Sequence, residues 1–130
     1  MVNDPIADML IQIKNAAMAR RSFVEFPSSK IKVALASILV KEGYIQSAER
    51  TGEKPKYKLK ILLKYEGGAP AITDVKRMSK PGLRLYVNVH NIPRVVGGMG
   101  IAIVSTPQGI MTGAKAKKIG LGGELLCEIW

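Results

Sequence analysis

The spacing of the apolar residues changes partway along the chain, and this change limits the folds that the chain can adopt. Near the N-terminus, apolar residues recur at helical spacing, first over residues 6–17 and again over residues 31–39. This spacing predicts two amphipathic helices. Over residues 57–65 the apolar residues instead alternate with polar ones, most of them lysines, which predicts a half-buried strand. The chain therefore combines helices and strands.

Cap and turn residues divide the first half of the chain into five elements. A helix starting at Pro5 can be capped by Asn3 or Asp4, and the second helix can be capped by Ser28 or Ser29. The predicted order is a helix, a strand over 23–26, a helix, and strands over 44–49 and 57–65. The segment 66–70, Glu-Gly-Gly-Ala-Pro, predicts a boundary between two lobes, residues 1–66 and residues 67–130.

The second lobe is predicted to consist mainly of strands. Strands are expected over 71–77, 83–89, 101–104 and the last residues, with a short helix over 112–119. The predicted fold class is α+β, with an αβαββ N-terminal lobe packed against a β-rich C-terminal lobe that contains short helices.

The charge balance indicates a polyanionic partner. Twenty Lys and Arg residues against ten Asp and Glu residues leave a net charge of +10. The placement of this charge is more informative than the total. The 49 residues between Asp74 and Glu124 contain no carboxylate, eight basic residues and nine of the 13 glycines. Phosphate attracts Lys and Arg and approaches backbone N–H groups where glycine removes the side chain, so this acid-free span (residues 75–123) favours a nucleic-acid surface.

Several other classes of protein do not fit. The single cysteine, Cys127, and the single histidine, His90, exclude an internal disulfide and a zinc site built by one chain. No apolar stretch approaches the roughly 20 residues that cross a bilayer, and the acidic N-terminus is unlike a signal peptide. We expect a cytoplasmic protein without membrane contact, cofactor or small-molecule substrate. The glycine clusters at 97–100 and 120–123 match no nucleotide-binding motif, and no catalytic constellation is visible. A small hydrolase using His90 or Cys127 is the hypothesis from another class.

Two segments of the second lobe are candidate nucleic-acid contacts. Arg84 and Tyr86 share the polar side of the predicted strand 83–89, where a tyrosine can stack on a base and an arginine can bind phosphate. Tyrosine also favours strands for packing reasons alone, so both interpretations stay open. The loop 105–109, Ser-Thr-Pro-Gln-Gly, offers hydroxyl and N–H groups to a base edge, a 2′-OH or a phosphate, although its composition equally suits a simple turn.

Basic residues of the first lobe give weaker signals. The lysines at 56, 58, 60 and 64 line one side of a strand, and most such faces are simply solvated. Lys30 follows the Ser28–Ser29 cap, close to a helix N-terminus, where phosphate is favoured.

Six blocks of the sequence resemble a known family, the S-eight family of bacterial small-subunit ribosomal proteins. The most specific are Gly-Met-Gly-Ile-Ala-Ile-Val-Ser-Thr at 98–106 and Gly-Leu-Gly-Gly-Glu-Leu-Leu-Cys at 120–127. The similarity extends over the whole chain, in order, with further blocks at 4–10, 27–30, 42–45 and 77–86.

The resemblance implies a non-enzymatic primary rRNA-binding protein that organises the central domain of small-subunit rRNA during assembly. It implies contacts with neighbouring small-subunit ribosomal proteins, and a second lobe that makes most of the RNA contacts. An alternative hypothesis is repression of translation through an rRNA-like element in the chain's own messenger RNA. The residues predicted to contact RNA are Lys30, Lys80, Arg84, Tyr86, Ser105, Thr106, Gln108, Lys115, Gly122, Gly123 and Glu124.

The chain departs from the family pattern at Pro107, where the family typically has a second serine. Proline has neither a hydroxyl nor an N–H, so a contact from either group is lost there. Pro107 is therefore left out of the predicted site.

Overall fold

The computed structural model describes residues 4–130. These residues contain three α-helices and ten strands. They form two compact units, Asp4–Thr73 and Asp74–Trp130. The first unit contains α1 (Pro5–Met18), β1 (Phe23–Pro27), α2 (Lys30–Lys41), β2 (Ile45–Glu53), β3 (Lys56–Leu63), β4 (Tyr65–Glu66) and β5 (Ala69–Pro70). This order confirms the predicted α+β class and its αβαββ opening. No helix within residues 4–130 is long and apolar enough to span a membrane.

Both helices of the first unit begin at the kind of cap that the sequence predicts. The Asp4 carboxylate accepts a hydrogen bond from the Ala7 N–H at 3.2 Å, and the Ser29 hydroxyl accepts one from the Lys32 N–H at 3.3 Å. The alternative cap Asn3 lies outside the described residues. α2 gives way to Gly43, whose φ of +83° is readily adopted only by glycine.

The two helices cover one face of an antiparallel sheet with strand order β1-β3-β2. Leu59, Ile61 and Leu63 of β3 are buried, as the alternating pattern predicts. The buried residues of the helices are Ile6, Met9, Leu10, Ile13, Ala16 and Ala17 of α1 and Leu35, Ala36 and Leu39 of α2.

The lysine face of β3 is matched by acidic residues on the neighbouring strands. Lys60 lies directly opposite Glu25 of β1 and Glu49 of β2, and Lys56 lies opposite Glu53. Directly opposed residues of antiparallel strands project from the same face, so these charges are neighbours. The Lys58 ammonium also lies 3.9 Å from the Glu25 carboxylate. This face is therefore largely neutralised by its own acids.

The segment at which the sequence indicated a lobe boundary forms part of a small hairpin. β4 and β5 pair through Glu66 and Ala69, and Gly67 and Gly68, both with positive φ, make the turn between them. The hairpin belongs to the unit Asp4–Thr73.

The second unit is built around one long C-terminal strand. Its elements are β6 (Val75–Arg77), β7 (Tyr86–Val87), β8 (Ile101–Thr106), β9 (Gly109–Thr112), α3 (Gly113–Ile119) and β10 (Gly123–Ile129), with short 3₁₀ turns at Val89–Asn91 and Val95–Gly98. One side of β10 pairs with β8, and the other side pairs with β7 and then with β6. The apolar cluster of this unit comprises Ile92, Val95, Ala102, Val104, Met111, Ala116 and Leu125.

The predicted strand over 83–89 is wrong in extent, because only Tyr86 and Val87 form a strand, β7, paired with β10. Lys80 and Leu83 exchange both backbone hydrogen bonds around the Pro81–Gly82 turn. Leu83, the first residue of the expected strand, therefore belongs to this turn. Leu83 is consequently 76% exposed instead of buried. The predicted strand over 71–77 likewise shortens to Val75–Arg77, whereas the strand predicted over 101–104 continues to Thr106.

Two glycines allow the backbones of β7, β10 and β8 to approach each other closely. A Cβ atom on Gly123 would overlap the Ser105 carbonyl oxygen, and one on Gly122 would overlap the Val87 carbonyl oxygen. Since the obstructing atoms are backbone, a side chain at either position must separate the strands.

Replacing Gly123 with alanine should therefore lower the free energy of unfolding by about 1–3 kcal/mol, the usual cost of overpacking. The matched control is Gly82→Ala, because a Cβ atom at Gly82 would have no neighbour within 4 Å. Urea unfolding of both variants checks this. Equal stabilities of Gly123→Ala and Gly82→Ala would contradict the packing explanation.

Candidate nucleic-acid interface

Three of the predicted contact residues form a row across the strands of the second unit. Glu124 of β10 lies directly opposite Tyr86 of β7 on one side and Ser105 of β8 on the other. Side chains paired in this way project from the same face of the sheet. Tyr86 is 68% exposed, although it belongs to a strand. The Tyr86–Glu124–Ser105 row thus places an exposed aromatic ring, a carboxylate and a hydroxyl residue side by side.

Glu124 is held in the row by two donors that share one oxygen. Its Oε2 atom accepts a hydrogen bond from the hydroxyl of Ser79 and another, at 3.1 Å, from Nη1 of Arg84. The Glu124 side chain is only 17% exposed, whereas that of Arg84 is 49% exposed. Arg84 is thus anchored through one nitrogen while its side chain stays half-exposed.

The surroundings of Glu124 keep its carboxyl group ionised. Burial opposes ionisation, but the hydrogen bonds from Ser79 and Arg84 and the positive charges of Arg84 and Arg77 outweigh it, so the pKa of Glu124 lies below its ordinary value. The first acid after the acid-free span therefore serves as an internal counter-ion for the basic residues around it.

The loop predicted over 105–109 is a tight hairpin turn. β8 and β9 remain paired up to Thr106 and Gly109, so only Pro107 and Gln108 protrude. The Thr106 hydroxyl donates to the Gly109 carbonyl at 2.9 Å and accepts from the Gln108 N–H at 3.1 Å. Thr106 is itself buried. Its hydroxyl hydrogen is thus committed to the turn, which leaves Ser105 and Gln108 as the more accessible polar side chains of this segment.

The remaining predicted contacts are distributed around the two units. Lys80 is exposed at the start of the Pro81–Gly82 turn, and Lys115 is exposed on the first turn of α3, where its backbone N–H is capped by Thr112. Gly122 and Gly123 have a packing role, as described above. Lys30 is exposed at the first position of α2 in the first unit.

Ser79 is absent from the residues predicted to contact RNA, although it lies within the block 77–86 that resembles the family. It is fully buried, and its hydroxyl also accepts a hydrogen bond from the Leu85 N–H at 3.0 Å. Its pattern of neighbours along the chain is that of any turn serine, so no sequence signal distinguishes it.

The two residues of the hydrolase hypothesis do not form a reactive site. Cys127 is fully buried within β10, opposite Ile103, where a substrate has no access to its thiol. His90 is exposed in the 3₁₀ turn Val89–Asn91.

Glu124 should give the stability of the protein a specific dependence on pH. Because the folded state lowers its pKa, the ionised carboxylate stabilises the fold fully above the ordinary value of 4.5, and this contribution is lost as the pH falls through the folded-state pKa. The difference in unfolding free energy between wild type and Glu124→Gln should therefore be constant near neutral pH and shrink in acid.

Urea unfolding at a series of pH values measures this difference. Arg84→Ala, which removes one of the two donors, should show a smaller loss of stability in acid than wild type does. A difference between wild type and Glu124→Gln that is the same at neutral and acidic pH would show that the ionised form is not favoured by folding.

Nearly the whole length of the chain is similar to one family of known proteins. Residues 4–130 match the family model described as Ribosomal protein S8. Small ribosomal subunit protein uS8 of Dictyoglomus thermophilum is 55% identical, over 99% of this chain and 98% of that protein. The uS8 protein of Dehalococcoides mccartyi is 54% identical over all of both chains. Small ribosomal subunit protein uS8c of Rhodomonas salina is 49% identical, again over all of both chains. On these grounds the chain belongs to the ribosomal protein S8 family.

Proposed function

We propose that this chain, a structural component of the small ribosomal subunit, binds small-subunit rRNA through the Tyr86–Glu124–Ser105 row and the basic residues beside it. In doing so it organises the central domain of that RNA during assembly. The observation that supports this assignment best is the row itself. It brings together side chains from three strands that are distant in sequence, and the acid-free span supplies the residues around it.

Each residue of the proposed surface has a group suited to one part of an RNA. The exposed ring of Tyr86 stacks on an unpaired base. Arg84 uses Nη1 for Glu124, and its other N–H donors bind phosphate oxygens, because a guanidinium has five such donors in a planar fork. The hydroxyl of Ser105 bonds to a 2′-OH or a phosphate.

The other predicted contact residues lie outside the row. Lys80, Lys115 and the protruding Gln108 meet the RNA backbone, where lysines bind phosphate with little dependence on sequence. Lys30, at the first position of α2, is a separate proposed RNA contact of the first unit. Thr106 shapes the turn that presents Gln108, and Gly122 and Gly123 act on RNA binding through the close strand approach that forms the row.

The partners of the chain in this role are rRNA and the neighbouring small-subunit proteins. Binding to its own messenger RNA is a second, finer proposal. It follows because a surface that recognises backbone geometry and a few unpaired bases accepts any RNA that folds in the same way.

Binding to rRNA should weaken strongly with salt. If about six phosphates are neutralised, log K falls with a slope of roughly −4 to −5 per log unit of salt, because each contact releases condensed counterions. The measurement is a titration of the protein with a transcript of the central domain of small-subunit rRNA at several salt concentrations. Binding that does not depend on salt would contradict the proposed surface.

Tyr86→Ala should lower the affinity for the same transcript by about 1–3 kcal/mol, the usual loss when one base loses an aromatic partner. Tyr86→Phe keeps the ring and should retain most of the affinity. The matched control is Leu83→Ala, which removes a neighbouring exposed side chain with no stacking surface. If Tyr86→Ala binds the transcript as tightly as wild type does, Tyr86 does not stack on a base and contributes only to the strand.

A further inference from the structure

Ser79 connects three backbone segments beside the Tyr86–Glu124–Ser105 row. Its backbone N–H donates to the Leu125 carbonyl at 3.0 Å, and the Leu125 N–H donates to the Leu85 carbonyl at 2.9 Å. The Leu85 N–H in turn donates to the Ser79 hydroxyl oxygen at 3.0 Å. These three hydrogen bonds form a closed ring. Leu85 immediately precedes β7, and the Ser79 hydroxyl accepts the hydrogen bond that its N–H would otherwise donate to a neighbouring strand.

The same hydroxyl also determines the position of the Glu124 carboxylate. It donates to Oε2, the oxygen that accepts from Arg84. A serine hydroxyl has a single hydrogen, and here that hydrogen is used on the carboxylate while a lone pair receives the Leu85 N–H. Because Ser79 is fully buried, its position is determined by packing and not by solvent.

The consequence for RNA binding falls on Arg84, one of the two proposed RNA contacts that flank Leu85. Arg84 precedes Leu85 and is anchored through Glu124, and Tyr86 follows it and lies opposite Glu124. If the hydroxyl is removed, the Leu85 N–H loses its acceptor and Glu124 loses a donor. Arg84 then shares the carboxylate with solvent and samples more side-chain conformations, so ordering it on RNA costs more.

We propose that Ser79 is a positioning residue for RNA binding, whose hydroxyl orients Glu124 and, through it, Arg84 for contact with rRNA. This inference rests on the proposed function of the row. It assigns Ser79 an effect on RNA affinity although its side chain is fully buried and has no surface to offer an RNA.

A double-mutant cycle on RNA affinity tests the inference. The proteins are wild type, Ser79→Ala, Arg84→Ala and the double variant, titrated with the central-domain transcript at one salt concentration. Ser79→Ala should bind roughly tenfold more weakly than wild type. In the Arg84→Ala background the same substitution should cost less than about twofold, because residues of one hydrogen-bond network are not additive.

Two controls separate positioning from a general loss of stability. Ile129→Val removes a methyl group from a fully buried side chain of β10, the strand that carries Glu124. Ile129 lies away from the row, so this variant should leave the affinity for RNA unchanged. Ser37→Ala removes a hydroxyl that bonds the Val33 carbonyl in the first unit and should also have no effect. If Ser79→Ala does not fold, Ser79→Cys replaces it in the cycle, since a thiol fills the space but is a weak hydrogen-bond donor.

The outcomes distinguish this inference from the function on which it rests. A wild-type protein that does not bind the transcript overturns both. Normal wild-type binding with an unchanged affinity of Ser79→Ala overturns only the inference, and so does an equal loss in both backgrounds. An affinity of Ile129→Val that falls as far as that of Ser79→Ala would likewise show that stability, and not positioning, determines binding.

Discussion

The close approach of three backbones at Gly122 and Gly123 is the constraint on which the second unit depends. Because neither residue has a Cβ atom, β10 can lie against β7 and β8 without overlap of the Val87 and Ser105 carbonyl oxygens. This approach sets the pairing that places Glu124 between Tyr86 and Ser105. The exposed row, the anchored arginine and the buried serine all follow from that register.

Opposite charges are arranged differently in the two units, and the difference matters more than the total charge of +10. On β3 of the first unit, lysines lie opposite glutamates of β1 and β2, so most of the local field is cancelled. In the second unit the acid-free span has no carboxylate of its own, and its charge partners come from β10, where Glu124 pairs with Arg84 and Glu128 lies opposite Lys76. Glu124 orders Arg84, while exposed lysines such as Lys80 and Lys115 stay available to a polyanion.

Much of the architecture could be predicted from the sequence, and the errors have identifiable causes. The helices and β3 were predicted well because their apolar spacing is regular and their caps are specific. The strand expected over 83–89 failed because alternation shows only that a segment could lie in a sheet. It does not show that a partner strand is available, and the Pro81–Gly82 turn and the Ser79 hydroxyl occupy the groups that pairing needs. Among the candidate site residues, hydroxyls were the hardest to assign. The Thr106 hydroxyl stabilises the turn between β8 and β9, and the Ser79 hydroxyl binds the Glu124 carboxylate. Both are typical turn residues in the sequence.

By itself the sequence determined the class of fold, the basic character of the chain and, through its resemblance to a family, the ribosomal role. Those properties depend on local spacing and on composition, which a linear chain displays directly. The tertiary structure alone decided which side chains meet. Ser79, Arg84 and Glu124 share one hydrogen-bond network, although Glu124 follows the other two at long range along the chain. Contacts of that kind depend on strand register, and register is set by backbone approach and burial summed over the whole unit.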